Sequence, residues 1–283
     1  MADGLRADGL RAGGLRDGGL RDGNVLESFK LTDRVAVVTG GARALGRQHA
    51  LALAEAGARV AICDLLSEEG ERARVELEAH GRPAFFEQAD IVDAAQMDRF
   101  LRDVEEALGP IDILVNNAAR PSEGVALETV ADDLWQEIIN INLSSAFYVG
   151  KRVAQRMIER GAGGAIINIA SINASVISNI LPRHNVTYCV AKAGLAQLTK
   201  GMAAEWASYG IRVNALAPGY ILTPQTATSA SMSEVRERII ANTPMKRYGN
   251  LDELKGAIVF LASDASSFMT GSVLYVDGGF TVW

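Results

Sequence analysis

Cysteine is nearly absent from this 283-residue chain: two residues, Cys63 and Cys189, are too few for a disulfide scaffold. Proline is scarce at 7 residues and histidine scarcer at 3, and no His/Cys/Asp cluster has metal-ligand spacing. No apolar run approaches the ~18 residues that a membrane span requires, and no basic-then-apolar leader opens the chain. A cytoplasmic protein without a membrane partner is therefore expected. Lysine forms no block, and the net charge of −6 offers no positive footprint for nucleic acid. What remains is small-molecule chemistry. With 48% hydrophobic and 22% charged residues, the chain can bury a core as one large α/β domain or two small ones.

Residues 1–24 stand apart. They repeat a five-residue unit, DGLRA-DGLRA-GGLRD-GGLRD, that holds four arginines, four aspartates and seven of the 28 glycines. A leucine at every fifth residue matches neither the 3.6 period of a helix nor the 2.0 period of a strand, and glycine at this density disfavours both. The segment reads as a flexible tail, with a coil of a β-solenoid as the sharper alternative. Its charges cancel, so the net charge belongs to the body, a single domain over about 30–283.

In that body short β-rich apolar runs alternate with helix-length segments. The runs are Arg34–Thr39, Arg59–Cys63, Ile111–Val115, Ala165–Ile169, Ile211–Leu216 and Val273–Val276. Helical patterns cover about 44–57, 67–80, 93–109, 132–160, 188–209 and 251–262. Ser67, and Asp93 with Gln96, read as helix starts; Gly57, Gly81, Gly109, Gly161 and Gly210 read as stops. Unalternating strands are buried on both faces, which predicts a doubly wound Rossmann fold: a parallel sheet with helices on each side. The least regular stretch, about 220–250, reads as a lid over the site.

Three motifs carry chemistry. Thr39-Gly40-Gly41-Ala42-Arg43-Ala44-Leu45-Gly46 follows the first strand and opens a helix, so its backbone can approach a pyrophosphate received by the helix N-terminus. Asp64 ends the second strand, where a carboxylate accepts both ribose hydroxyls and repels a 2′-phosphate; this selects NAD over NADP. Arg43 argues the other way, since a guanidinium beside the turn suits that phosphate. Tyr188 and Lys192, four apart on a helix, share one face. A nearby ammonium favours the phenolate, yet the ~3-unit shift that neutral-pH base catalysis wants is worth ~4 kcal/mol, more than one lysine supplies. A second positive charge, such as an oxidised nicotinamide, is expected to contribute.

Taken with Asp90-Ile91, Asn116-Asn117-Ala118-Ala119, Asn142, Ser171 and Pro218-Gly219-Tyr220-Ile221-Leu222-Thr223, these motifs occur in the order of one family. From about Leu31 to the C-terminus the chain resembles the short-chain dehydrogenases/reductases of about 250 residues. The resemblance implies Tyr188 as general base or acid, Ser171 as hydrogen-bond partner of the substrate oxygen, Lys192 on the nicotinamide ribose, and Asn142 holding a water. It implies further that Gly40, Arg43, Leu45 and Gly46 bind the pyrophosphate side and that Asp64, Leu65, Asp90 and Ile91 surround the adenosine. Asn117 and Ala118 would lie by the adenosine ribose, and Pro218, Gly219, Ile221 and Thr223 by the nicotinamide. Members are commonly homotetramers.

This chain departs from the family pattern at three points. Ala44 and Ala119 replace glycines. Ser171 lies 17 residues before Tyr188 instead of about 13, with Ser175 at the shorter distance. Ser171 is preferred because it follows a strand directly, which places an insertion in 175–185 containing Arg183 and His184. His49 and His80 are expected on helix surfaces. The expected function is NAD-dependent interconversion of a secondary alcohol and a ketone, on a largely apolar substrate walled by Ile172, Val176, Ile180, Tyr220 and Leu222, with Arg120 or Arg183 able to meet an acidic group. The alternatives are an NADPH-linked 3-oxoacyl-carrier-protein-type reductase and a non-catalytic cofactor sensor.

Overall fold

A computed structural model of the chain describes residues 24–121, 124–178, 180, 184–223 and 233–282. The repeat at 1–23, read above as a tail, lies outside the described residues, as do Arg183 and Trp283. At Asn24 the side chain accepts the Leu26 N–H and starts a 3-10 turn, Val25–Phe29. Phe29 rests on Phe260 with ring centroids 6.2 Å apart, and Leu31 is fully buried. The body thus begins a turn earlier than position 30.

One seven-stranded parallel sheet organises the fold, in the order β3-β2-β1-β4-β5-β6-β7. Its strands are β1 Val35–Thr39, β2 Arg59–Asp64, β3 Ala84–Gln88, β4 Ile111–Asn116, β5 Gly164–Ile169, β6 Ile211–Pro218 and β7 Val273–Val276. Successive side chains leave a strand on opposite faces, and both faces here are covered. Ala36 and Val38 of β1 meet helices α1 Ala44–Glu55, α2 Ser67–Glu78 and α8 Lys255–Ala262. Val35 and Val37 meet α3 Ala94–Leu108, α5 Ser145–Arg160 and α6 Val186–Trp206 on the other side. This two-sided burial is why the strands read as continuous apolar runs. Each fully buried side chain of the size of Phe100 or Leu53 contributes about 1.5–3 kcal/mol.

Two elements escape the pattern of apolar runs. β3, Ala-Phe-Phe-Glu-Gln, pairs only with β2 at the sheet edge and is half-buried, so it lacks the long apolar run of its neighbours. Phe86 explains a second oddity, Gly70 inside α2: a Cβ there would lie 2.1 Å from the Phe86 ring. The stretch 220–250 is not irregular throughout. It contains α7, Ser233–Asn242, whose Val235 and Ile239 are buried against Ile172, Ile180 and Phe280.

Helix ends follow the expected chemistry with one exception. Asp93 caps α3 by accepting the Ala95 and Gln96 N–H groups, and the five glycine stops all take positive φ. Ser67, by contrast, is already inside α2, and Leu66 precedes it without a side-chain cap. The Leu66 N–H is instead taken by Asp64 Oδ1 at 3.2 Å.

His49 is not on a surface: it is fully buried in α1, whereas His80 is exposed. Burial pushes its pKa down to about 4, against a smaller opposing effect from Asn117. Between pH 4 and its ordinary value of 6.5, the unfolded chain binds a proton there that the folded chain refuses. Stability is therefore lost as pH falls through that window, by roughly 3 kcal/mol from this group. Urea midpoints measured from pH 7 to 4 should fall more steeply for the wild type than for His49→Leu. Parallel curves would show that His49 does not drive acid lability.

Candidate active site

Order reverses between β1 and β4, and at the carboxyl ends of these strands a crevice must open, because the chains leaving them cross to opposite faces. A cleft of about 550 Å³ occupies this place. Its floor is the turn after β1. Gly40 has φ +64°, and a Cβ at Gly46 would lie 1.9 Å from the Gly40 carbonyl oxygen, so α1 can meet the strand this closely only through glycine. Ala44 has φ +47°, a left-handed conformation that costs an L-residue about 1 kcal/mol. The Ala44 departure is tolerated at that cost. No side chain caps α1, so the first N–H groups of the helix are left for a ligand.

Neighbouring strands hold the turn. Asn117 donates its side-chain amide to the Thr39 and Gly40 carbonyls at 2.9 and 3.1 Å, while the Thr39 hydroxyl accepts the Asn117 and Ala118 N–H groups at 3.1 Å each. The Asn117 amide, expected beside a ribose, thus fastens β1 to β4. Asp64 also braces the turn: its Oδ2 accepts the Ala42 N–H at 3.1 Å, which aims the carboxylate along the cleft wall. Leu65, Asp90 and Ile91 border the same end, and Arg43 stands exposed beside them. Asp90 is fixed by its own N–H donating to Gln96 Oε1 at 3.0 Å.

At the opposite end lie Ser171, Tyr188 and Lys192. Ser171 leaves β5 and accepts the Asn173 N–H at 3.2 Å. Tyr188 lies on the first turn of α6, which Asn185 caps, and its hydroxyl hydrogen-bonds Ser171. Lys192, one turn further on, is 2% exposed; its Nζ donates to the Ile169 carbonyl at 2.7 Å and lies 5.5 Å from the Tyr188 ring centroid. Burial pushes the phenol pKa up to about 12, partly offset by Ser171, and pulls the ammonium pKa down to about 8. The lysine is thus still cationic at neutral pH. Ser175, the alternative serine, is turned away and pairs with the Tyr275 hydroxyl.

Asn142 lies behind this triad at 2% exposure, inside a π-helical turn, Asn140–Ser144, between α4 Asp132–Ile139 and α5. The segment expected as one helix over 132–160 is continuous, but it widens at this point, as helices often do at functional sites. The Asn142 amide donates to the Arg120 and Ile138 carbonyls at 3.0 Å each, leaving Oδ1 buried without a hydrogen-bond partner in the structure. A buried amide acceptor of this kind suits a bound water.

Pro218 and Gly219 complete the cleft at the end of β6. Ile221 and Thr223 follow at 5% and 7% exposure and do not line it. The predicted substrate wall is largely core: Ile172 and Ile180 are buried under α7, with Val176 and Tyr220 packed on them. His184 is exposed outside the cleft, its Nδ1 bonded to the Ser178 carbonyl. Burial raises both cysteine thiols, and both remain unpaired. Sequence reasoning missed Glu137 and Ile141, which line the reactive end; their signal, one turn and one residue before Asn142, is visible only in retrospect. It also missed a buried chain in which Asn116 donates to Asn168 and Asn168 to Thr199, both at 2.9 Å, binding β4 and β5 to α6. Among the described residues no acidic, histidine or cysteine cluster could hold a metal, and no helix is long and apolar enough to cross a membrane.

A switch-point cleft with a glycine cradle at one end and a serine, tyrosine and lysine at the other defines a nicotinamide-dependent oxidoreductase of Rossmann fold. A family model described as Enoyl-(Acyl carrier protein) reductase matches residues 40–281. The galactitol 2-dehydrogenase of Rhizobium johnstonii is 38% identical over 91% of this chain and 98% of its own length. The gluconate 5-dehydrogenase of Gluconobacter oxydans is 38% identical over 90% of this chain and 97% of its own. A crystal structure of a gluconate 5-dehydrogenase from Burkholderia cenocepacia, in complex with NADP and tartrate, superposes with TM-score 0.85 at 37% identity, covering 92% of this chain and all of that one. The chain belongs to the short-chain dehydrogenase/reductase family and is an oxidoreductase of secondary alcohols.

Proposed function

We propose that the protein oxidises a secondary alcohol to a ketone with NAD, using Tyr188 as the group that takes the hydroxyl proton. The observation that carries this reading is the cluster of half-buried Ser171 and Tyr188 with buried Lys192, opening onto the cleft that Asp64 borders at its other end. The first N–H groups of α1 would receive the pyrophosphate, Asp64 the adenosine ribose hydroxyls, and Lys192 the nicotinamide ribose. Leu65, Asp90 and Ile91 would enclose the adenine, and Pro218 and Gly219, which line the cleft, would set the nicotinamide. When bound, the oxidised nicotinamide supplies a hydride acceptor and a positive charge at the tyrosine end.

The chain's own residues do the rest. Ser171 is placed to share a hydrogen bond with the substrate oxygen and so fix that oxygen against Tyr188 Oη. A phenol with a pKa near 12 is protonated at neutral pH, which suits it to donate a proton in ketone reduction. In oxidation it must first lose that proton. The buried Lys192 ammonium favours the loss, and Asn142 would hold the water through which the proton reaches solvent. Alcohol oxidation is accordingly expected to quicken as pH rises above neutrality.

The names of the relatives cited above include a polyol dehydrogenase and a sugar-acid dehydrogenase, so both substrate kinds belong in the test. Purified protein should reduce NAD, followed at the NADH absorbance, with at least one of a panel of cyclic alcohols, hexitols and hexonates. Silence with every alcohol and with both NAD and NADP would overturn the proposal.

A further inference from the structure

At the reactive end of the cleft stands one ion pair, Arg120 with Glu137, whose side chains are 44% and 45% exposed. Its place is set by the catalytic elements. The Arg120 carbonyl accepts the Asn142 amide at 3.0 Å, and α4, which carries Glu137, packs against α6, the helix of Tyr188. Ile141, one turn after Glu137, lines the same wall. Arg120 does not stand ready to greet an acid, because Glu137 already neutralises it.

We infer that Arg120 and Glu137 form a substrate-specificity pair that selects a neutral polyhydroxylated alcohol and disfavours a carboxylate-bearing one. A guanidinium with one partner keeps further N–H donors, and a carboxylate with one partner keeps further lone pairs. Together they offer donors and acceptors side by side with no net charge. Adjacent hydroxyls, each both donor and acceptor, match that surface. Among the described residues the cations at this end are Arg120, paired with Glu137, and Lys192, 2% exposed and donating to the Ile169 carbonyl, so a substrate carboxylate meets the like charge of Glu137 at the wall, and specificity often rests on such a repulsive element. Of the apolar wall expected for a hydrophobic substrate, Ile172 and Ile180 are buried in the core, and the Arg120–Glu137 pair is the half-exposed charged feature of this wall of the cleft.

This inference rests on the alcohol oxidation proposed above, and the experiment separates the two. Initial rates would be measured on the full-length protein with hexitols, with hexonates of matching configuration, and with cyclohexanol. The wild type should favour hexitols in kcat/KM. Glu137→Gln should move the hexonate-to-hexitol ratio toward the acid by about fivefold, the scale of one partly exposed charge. Adding Arg120→Met should cancel that shift, and Arg120→Lys should restore part of it. An unchanged ratio in Glu137→Gln, or a wild type that prefers hexonates, would overturn the inference. Oxidation of cyclohexanol alone would also overturn it, while leaving alcohol oxidation standing. No turnover of any alcohol would remove both.

Discussion

Tyr188→Phe is expected to lower kcat for alcohol oxidation by about 10³-fold while leaving the dissociation constant of the cofactor within about twofold. The two halves of this prediction have separate structural grounds. Removing the hydroxyl deletes the atom that the proposed mechanism assigns to proton exchange with a substrate oxygen bonded to Ser171. Ser171 keeps a partner, because its oxygen still accepts the Asn173 N–H. The ring survives, and with it the packing beside Lys192, whose Nζ remains fixed to the Ile169 carbonyl. Lys192 therefore stays in place for a ribose. Folding should be little affected, since a half-buried phenol loses one hydrogen bond and its desolvation cost together. Rates from single-turnover mixing and affinities from quenching of protein fluorescence would test both halves. A variant retaining a tenth of wild-type kcat would mean that another group moves the proton. A large loss of cofactor affinity would mean that Tyr188 acts chiefly in binding.

That prediction depends on an environment the sequence only partly foretells. The four-residue spacing of Tyr188 and Lys192 placed them on one face, and the structure agrees. The charge balance differs from a simple lysine-activated phenolate. Burial raises the phenol and lowers the ammonium, so each pKa moves against the catalytic need before a ligand enters. Burial of this depth depends on tertiary packing from β5, α4 and α6, and spacing along one helix carries no record of it.

The same division runs through the fold. β1, β2, β4, β5 and β6 are legible because two covered faces force a continuous apolar run. β3 is not, because a half-exposed edge strand needs only Phe85 and Phe86. α7 is hidden for a like reason: two buried residues in ten make a faint helical pattern. His49 looked like a surface residue because histidine among alanines and leucines gives no direction. The packing of α1 against β1, β2 and α8 puts it inside. Among the proposed site residues, those on strand ends and tight turns were read from local chemistry. Glu137 and Arg120 were not paired, because they lie 17 positions apart and meet only where the π turn brings α4 to the cleft.

Asp64→Asn should change the ratio of NADH to NADPH affinity by about 100-fold in favour of NADPH. The substitution is chosen to isolate charge. Asp64 accepts the Leu66 N–H through Oδ1 and the Ala42 N–H through Oδ2. Asparagine keeps one acceptor oxygen, so part of this bracing of the glycine turn survives. Alanine would release both N–H groups and confound cofactor choice with a loosened turn. The removed charge matters because a 2′-phosphate set where the ribose hydroxyls would lie meets a carboxylate directly, a repulsion worth several kcal/mol. Arg43 supplies the opposite force. It stands exposed on the same rim, and once Asp64 is neutral its guanidinium can pair with the phosphate through charge-assisted hydrogen bonds. A second substitution follows from this competition: adding Arg43→Ala to Asp64→Asn should take back about tenfold of the NADPH gain, and little of the NADH affinity. Fluorescence titrations of both reduced cofactors against the wild type and the two variants give the full cycle. Wild-type protein that binds NADPH more tightly than NADH would show that Arg43, and not Asp64, governs the rim.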